Sequence, residues 1–445
     1  MKGKNKMFKI GCAEIQMEVP LFTELYGYGH FASRRNTGVY EPLYCRAFTF
    51  YDGKHRAVIV YSDLCTTDDQ FARELRAQIS TRLRIRPEGI AFTATHTHSG
   101  PAVSAESPDT SGIRNAQFIA YWKNTVLQVV QRAFDNEEEI LSAETGKAPL
   151  ERPIGTNRVE PDRNVTDPAI RWIRFKRADG SVKLLLHNHA AHGIADNGPL
   201  ETKVSSDWMG AANRMLKEQK CADFILYLQG AAGDLNTRTA CNMEKRPGVG
   251  RELGEEYVKY LTSDLEKGTP LALGEISFVL RTFEFPMVEQ TPAQLRKDAE
   301  FLRNKGRNDR ERDYWGINAL RLEEMALLLE KGYDLGEDHD LQIIRMGDAA
   351  FYFVPGELYI EPGMELLENS TAACPIISTL SNGNGQYFFT EKSGEKYPAI
   401  DCKAEKLFGF YEIYSYMHQQ RFKYQNSVAS FIVEKMASLE NVKEM

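Results

Sequence analysis

The 445-residue sequence lacks any long apolar run and any long stripe of basic residues. A bilayer-spanning helix needs about 20 consecutive apolar residues, and no stretch approaches that length. The formal net charge is −7, so the chain carries no electrostatic signature of nucleic-acid binding. These absences exclude a transmembrane protein and argue against a nucleic-acid partner.

The cysteines also lack a pattern. The seven residues are scattered and contain no Cys-x-x-Cys pair, which predicts reduced thiols rather than a disulfide framework. The amino-terminal stretch "MKGKNKMFKIGCAEI" begins with basic residues but has no apolar segment behind them, so it does not resemble a signal peptide. We therefore expect a cytoplasmic protein, or a secreted one if a leader has been removed.

A repeated pattern organises most of the chain: a short apolar run ends abruptly in polar or glycine-rich residues. Continuous apolar runs are typical of strands covered on both faces, as in a parallel sheet. Because helical stretches alternate with these runs, the sequence predicts an α/β fold with mixed, mostly parallel central sheets flanked by helices. The runs are "RAVIVYSDL" (56–64), "GIAFTATHTHSGP" (89–101), "VKLLLHNHAAHG" (182–193), "DFILYLQGAAGD" (223–234), "AAFYFVPGE" (349–357) and "CPIISTLSNGNG" (374–385).

Residues 291–332 differ from the rest because they are highly charged and have helical periodicity. Thr291 is the expected cap, with Pro292 as the first helical residue. We predict a solvated pair of helices on the outside of the sheets. Since no repeat or low-complexity linker interrupts the chain, residues 1–445 are expected to form one domain.

Polar side chains follow each apolar run, where ligands bind in open α/β sheets. Five of the nine histidines fall at only two of these strand ends. They are His96 and His98 after one run, and His187, His189 and His192 in another. The other polar residues at such ends are Asp63, Gln229, Asp234, Glu357, Asn382, Asn384 and Tyr387.

The histidines raise the possibility of a metal site. Zinc takes nitrogen and oxygen ligands, and a catalytic zinc site keeps one position open for water. A single His-x-His pair is more typical of histidines that bond carbonyl groups at a sheet edge than of a metal site. The second histidine cluster makes the two interpretations equally well supported, whereas "PGE" around Glu357 adds little because it is also an ordinary turn.

The "HNHAAHG" cluster contains two kinds of position. His187 and His189 share one face of the predicted strand, so neighbours or a supporting role beside the metal should satisfy them. His192 lies at the strand exit and is the better ligand candidate. Asp234, the last residue of "QGAAGD", can orient a metal-bound histidine or cap the next turn.

Taken together, these motifs resemble the neutral/alkaline (non-lysosomal) ceramidase family. The resemblance extends from about residue 9 to about residue 415 and is most specific at "THTHSGP". It is supported in order by "NRVEPDRN", "NHAAHG", "QGAAGDLN", "VPGELYIEPG" and "SNGNGQYFFT". It covers the family's N-terminal catalytic domain, an α/β scaffold with a zinc ion, and indicates a short member without the smaller C-terminal β domain.

The resemblance implies a set of site residues, with two departures from the family pattern. It implies zinc ligands at His96, His192, Glu357 and Tyr387, and substrate-facing residues at His98 and Arg158. The family's further tyrosine corresponds to Tyr411 in "GFYE", or to Tyr397. Gly193 replaces a proline of the family motif, and Asn236 stands where long ceramidases carry a serine.

The implied activity is that of a zinc-dependent hydrolase, which cleaves an N-acyl amide bond with metal-activated water. His98, with the later tyrosine, would stabilise the developing oxyanion, and Glu357 or His98 would carry a proton to the leaving amine. Asn236 cannot act as a hydroxyl nucleophile, so no covalent serine step is expected.

Three matters stay open at this stage. The substrate is a ceramide or a smaller, lipid-like or soluble amide. A zinc hydrolase of an ester or another acyl substrate, or a zinc-containing binding protein without turnover, are the alternatives. The sequence does not specify the oligomeric state.

The two histidines of "THTH" are expected to differ in function. His96→Ala should lose zinc and activity together, because it removes a ligand, whereas His98→Ala should keep the zinc and lose turnover. Metal analysis and amide hydrolysis of both purified variants test this division. Equal loss of zinc from both variants would contradict it.

Overall fold

The computed structural model describes residues 8–28, 34–103, 115–196, 198, 201–239, 248–305, 309–400, 407–419 and 421–442. Cys241 and Cys402 lie outside these ranges. The described cysteines are free thiols, as the sequence predicts.

The strands form three large sheets and two short pairs. The first large sheet has the order β4-β3-β2-β1-β5, the second β10-β9-β8-β6-β12, and the third β13-β14-β15-β17, while β11 pairs with β7 and β16 with β18. The strands are β1 (Phe8–Met17), β2 (Leu43–Tyr51), β3 (Arg56–Ser62), β4 (Ile90–Ala94), β5 (Glu138–Ile140), β6 (Ser142–Pro149), β7 (Gly155–Asn157), β8 (Ala169–Lys176), β9 (Val182–His189), β10 (Phe224–Gln229), β11 (Leu235–Thr237), β12 (Thr269–Leu271), β13 (Ile276–Glu284), β14 (Asp338–Met346), β15 (Ala349–Phe353), β16 (Glu357–Leu358), β17 (Cys374–Ser378) and β18 (Tyr387–Phe388).

Helices cover the outer faces of these sheets. None of the described helices is both long enough and apolar enough to cross a membrane. The helices are α1 (Asp69–Leu83), α2 (Ala116–Asp135), α3 (Asp207–Glu218), α4 (Val249–Asp264), α5 (Pro292–Arg303), α6 (Asp309–Glu330), α7 (Ile360–Glu368), α8 (Glu391–Lys396), α9 (Leu407–Ile413), α10 (Tyr416–Gln419) and α11 (Val428–Glu440).

The six apolar runs of the sequence form three strand–helix–strand units, one in each large sheet. These units are β3-α1-β4, β9-α3-β10 and β15-α7-β17, and in each the two strands are parallel. The other described pairings in the three sheets are antiparallel. The α/β class is therefore correct, but the prediction of mostly parallel sheets is wrong.

The error has a physical cause in the layering of the sheets. Residues that alternate along a strand enter two different cores: Phe351 of β15 packs in the central core and Tyr352 in the core beneath α5, α6 and α11. In β3, Ile59 likewise packs centrally and Val60 beneath α1 and α2. A strand between two cores is apolar on both faces, so a continuous apolar run does not distinguish parallel from antiparallel pairing.

Hydrogen bonds lock the three sheets together at their parallel edges. The Asn382 side chain accepts a hydrogen bond from the Phe92 N–H at 3.0 Å. The Asn188 side chain of β9 donates to the Leu228 and Ile377 carbonyls, both at 2.8 Å, and so joins the second sheet to the third. As a result, the carboxyl ends of strands from different sheets meet at one place.

The predicted charged helical segment is a helix pair, α5 and α6. Thr291 is the cap, and its hydroxyl accepts a hydrogen bond from the Gln294 N–H at 3.2 Å. Leu295 and Leu302 of α5 are buried with Leu322 of α6. None of the charged side chains of α5 is buried, whereas Arg321 of α6 is. The helical prediction and its cap are confirmed.

Asn188 is expected to be important for stability because one side chain satisfies two buried carbonyl groups. Asn188→Ala should lower the free energy of unfolding by about 2 kcal/mol, since it leaves both acceptors without a donor. Urea denaturation measures the change. Asn304→Ala is a matched control, because its side chain donates to the Glu300 carbonyl at the protein surface and should matter little.

Candidate metal centre

His96 lies in an unusual backbone conformation just beyond the end of β4. Its φ of 67° is in the left-handed region, which is uncommon for a residue with a side chain and is often found at functional sites. The His96 N–H donates to the Leu64 carbonyl at 3.0 Å, which ties this turn to the end of β3. The turn leaves Nε2 of His98 only 3.2 Å from Nε2 of His96.

Backbone carbonyl groups orient two of the histidines. Nδ1 of His96 donates to the Cys65 carbonyl at 2.8 Å, and Nδ1 of His192 donates to the Leu235 carbonyl at 2.7 Å. A carbonyl oxygen can only accept, so each neutral ring carries its proton on Nδ1 and keeps a lone pair on Nε2. This tautomer is the one that a metal ligand needs.

The Glu357 carboxylate faces both of these Nε2 atoms. Its Oε2 atom lies 3.3 Å from His96 and 3.1 Å from His192. The three ligand atoms all lie within 4.8 Å of one another. Glu357 in β16 is also the register partner of Tyr387 in β18, so the parallel pair places this tyrosine beside the cluster.

The charge states in the protein without an ion follow from burial and proximity. Burial, together with the positive charges of Arg158 and His96, lowers the pKa of His192 to about 4. Burial also acts to lower the pKa of His96, but the Glu357 carboxylate outweighs it and raises that pKa well above 6.5. Burial and the neighbouring His96 and His192 rings lower the pKa of His98 well below 6.5.

The donor set fits a zinc ion. Two imidazole nitrogens and a carboxylate oxygen are typical ligands of catalytic zinc, which leaves a further position for water or substrate. Nε2 of His192 and Oε2 of Glu357 are buried and, within the described chain, have no hydrogen-bond partner of good geometry. Atoms that converge in this way are suited to a shared cation.

Cys65, His96 and His98 form a second group of possible ligands, which the sequence analysis missed. The Cys65 Sγ atom lies 3.6 Å from Nδ1 of His96. That nitrogen already donates to a carbonyl, so the cysteine faces the wrong side of the ring. The group with His192 and Glu357 is therefore the stronger candidate.

A small cavity of about 60 Å³ opens beside the cluster. Five of the residues predicted for the site line it: His96, His98, Glu357, Tyr387 and Tyr411. His192 is fully buried and reaches the cluster from beneath it. The remaining lining residues include Tyr26, Gly27, Cys65, Thr66, Leu380, Asn384, Gly385, Gln386 and Ser415.

The two tyrosines left open by the sequence occupy different places. The Tyr411 ring lies 5.8 Å from the Tyr387 ring, at the cavity. Tyr397 instead packs against Phe410, with ring centroids 6.2 Å apart, and its carbonyl accepts a hydrogen bond from the Tyr414 hydroxyl. The geometry therefore favours Tyr411 as the second site tyrosine.

Arg158 lies behind Tyr387 rather than in the cavity lining. Its guanidinium is 5.5 Å from the Tyr387 ring centre and forms a 2.8 Å ion pair with the buried Glu412. It also donates to the Asn236 side chain at 2.9 Å, so the residue at the expected serine position contacts the arginine. Glu412 was missed in the sequence, although it directly follows Tyr411 in "GFYE".

Three other polar residues are bonded away from the cluster. His187 bonds Tyr257 and Asn213 through its two ring nitrogens. Nδ1 of His189 lies 3.3 Å from the Asp167 carboxylate, whereas its buried Nε2 has no hydrogen-bond partner among the described residues. Asp234 accepts hydrogen bonds from the Ile360 N–H and the Asn157 side chain, both at 2.8 Å. Asp234 therefore joins distant segments instead of orienting His192, whose Nδ1 is held by the Leu235 carbonyl.

The fold and the cluster together define a mixed α/β protein with a buried histidine–carboxylate centre. Residues 8–233 match the family model for the N-terminal part of neutral/alkaline non-lysosomal ceramidases. This match spans more than half of the chain, which therefore belongs to that family. A comparison with curated proteins finds no match.

Solved ceramidase structures share the fold. The neutral ceramidase from Pseudomonas aeruginosa is similar over 98% of this chain and 75% of its own, with a TM-score of 0.72 and 16% identity. A ceramidase complexed with C2 is similar over 97% of this chain and 75% of its own, with a TM-score of 0.72 and 15% identity. At these identities the likeness concerns the fold.

Removing one member of the buried Arg158–Glu412 pair is expected to destabilise the protein strongly, although the intact pair adds little net stability. Glu412→Gln should lower the free energy of unfolding by about 3 kcal/mol, because it leaves a buried guanidinium without its counter-charge. Denaturant titration measures this loss. Glu361→Gln breaks the exposed ion pair with Arg163 and should leave stability close to wild type. Equal effects of both variants would contradict the expected importance of burial.

Proposed function

We propose that the protein is a zinc-dependent hydrolase that cleaves the amide bond of an N-acyl substrate. The observation that carries the proposal is the convergence of His96 Nε2, His192 Nε2 and Glu357 within 4.8 Å. Tyr387, the register partner of Glu357, is the proposed fourth ligand. Membership of the ceramidase family supports an amide as the substrate.

A zinc ion held by these residues supplies Lewis acidity, which polarises a carbonyl group and activates water. The remaining chemistry belongs to the side chains at the cavity. His98 stays neutral, so one ring nitrogen can donate a hydrogen bond to the substrate carbonyl oxygen as negative charge develops there. Each such donor contributes roughly 3 kcal/mol to catalysis.

The leaving amine needs a proton, and two groups are within reach of the cavity. Glu357 and His98 both line it, and either can take a proton from water and pass it on. The Tyr411 hydroxyl is a second donor for the carbonyl oxygen. Arg158 has a positioning role, because the permanently charged guanidinium lies against Tyr387 and is anchored by Glu412.

The cavity lies next to the proposed reacting bond. The acyl carbon and its first substituents would occupy it, close to His98. On family membership, the proposed substrate class is an N-acyl amide, either a ceramide or a smaller lipid-like amide. Short and long acyl chains on the same amine compare the two.

Metal removal tests the proposal directly. Purified protein should contain about one zinc ion per chain, chelation should abolish amide hydrolysis, and added zinc should restore it. A panel of short- and long-chain N-acyl amides, with the matched esters, serves as the substrates. In the same assays, His55→Ala is the control for His96→Ala. His55 lies in the β2–β3 turn, at the end of the first sheet opposite to His96.

Three results would overturn the proposal. Less than about a tenth of a zinc ion per chain, with no activity gained from added zinc, would exclude a zinc hydrolase. Hydrolysis of the esters but not of the amides would show that the protein is a hydrolase of another acyl bond. A protein that keeps its zinc but hydrolyses neither class would be a binding protein.

A further inference from the structure

A cluster of buried charged groups lies outside the cavity lining and has no part in the chemistry proposed above. Its centre is His339, whose Nδ1 lies 3.0 Å from Asp69 and whose Nε2 lies 2.5 Å from Glu337. Arg421 approaches the Glu337 carboxylate at 2.9 Å, and the Tyr424 hydroxyl donates to the same carboxylate. Apart from Arg421, each of these residues exposes less than a tenth of its surface to solvent.

The cluster joins segments that are far apart in the chain. Asp69 begins α1, His339 lies in β14, and Tyr424 precedes α11. A buried carboxylate or imidazolium is costly unless it is paired and hydrogen-bonded. Because the cluster combines three segments, around Asp69, Glu337–His339 and Arg421–Tyr424, its full set of pairs forms only when these segments are docked.

The same carboxylates hold the loop that leads into Tyr387. Asp69 accepts a hydrogen bond from the Asn384 N–H at 2.8 Å. Glu337 accepts one from the Gln386 side chain at 2.5 Å. Residues 382–387, which we call the ligand loop, are therefore held by two carboxylates that His339 bridges.

The ligand loop contacts the metal centre in two ways. The Gln386 carbonyl accepts a hydrogen bond from the Glu357 N–H at 3.0 Å, and Tyr387 is the register partner of Glu357. Asn384 lines the cavity and accepts a hydrogen bond from the Thr66 hydroxyl. A shift of the loop would therefore move two of the four proposed zinc ligands and one wall of the cavity.

His339 suits this bridging role because an imidazolium donates from both ring nitrogens at once. Burial acts to lower the pKa of His339, but Asp69 and Glu337 outweigh it and raise that pKa to about 10. A neutral ring could donate to only one of the two carboxylates. The charged form keeps both in place.

We propose that Asp69, His339 and Glu337 form a positioning site, which holds the ligand loop and through it Tyr387 and Glu357 in the geometry of the metal centre. The identity of the two ligands rests on the proposed function. The contact between the cluster and the loop does not. Its test therefore begins with protein from which metal has been removed.

His339→Gln is the principal variant, because glutamine is neutral and cannot bridge both carboxylates as the imidazolium does. In metal-free protein, we expect backbone amides of residues 382–388 to exchange hydrogen at least tenfold faster than in wild type. His187→Gln is the matched control, since His187 is also buried and bonded on both ring nitrogens. The control should leave exchange in residues 382–388 within twofold of wild type.

Zinc affinity provides the second readout. Competition with a chelator should give at least tenfold weaker zinc binding for His339→Gln, and less than a twofold change for His187→Gln. The positioning role would be overturned if His339→Gln lost as much thermal stability as His187→Gln but showed wild-type hydrogen exchange in residues 382–388. If wild-type protein binds no zinc, the proposed function fails, while the exchange result still decides whether the cluster holds the loop.

Asp69 offers an independent test if His339→Gln does not fold. Asp69→Asn keeps an oxygen that can accept from the Asn384 N–H, whereas Asp69→Ala removes it. We expect faster exchange of the ligand loop in both variants, with the larger increase in Asp69→Ala. Wild-type exchange in Asp69→Ala would contradict the proposal.

Discussion

The structure depends on one arrangement: three parallel strand pairs, each from a different sheet, end at the same place. Backbone groups at strand ends must be satisfied, and the side chains of Asn188 and Asn382 do this across sheet boundaries. These bonds prevent the sheets from sliding past one another. His96, His192 and Glu357 therefore converge because the sheets that carry them are locked together.

Several buried charged residues surround the place where these strands end, and most of them form ion pairs with one another. Arg158 is paired with Glu412, and His339 with Asp69 and Glu337. Such pairs contribute little net stability, but they are strongly directional, since removing one partner leaves a buried charge alone. These pairs hold the segments around the proposed metal centre in place. In that centre, Nε2 of His192 and Oε2 of Glu357 lie close together without hydrogen-bond partners among the described residues.

Much of the secondary structure was predictable because it depends on residues that are close together in the sequence. The apolar runs, the cap at Thr291 and the helix pair that follows all depend on residues close together in the chain. The direction of strand pairing was not predictable in this way. Strands such as β15 are apolar on both faces because they lie between two cores, and a layered fold produces that pattern in antiparallel strands as well as in parallel ones.

By itself, the sequence determined that histidines and carboxylates follow the buried strands, since composition and periodicity mark strand ends, and its motifs pointed to the family. Only the tertiary structure decided which of these side chains meet. The left-handed turn at His96, the position of Arg158 behind Tyr387, and the contact of Glu412 and His339 with their partners arise from segments up to several hundred residues apart. Such contacts depend on how the sheets dock, and docking is a property of surfaces assembled from the whole chain.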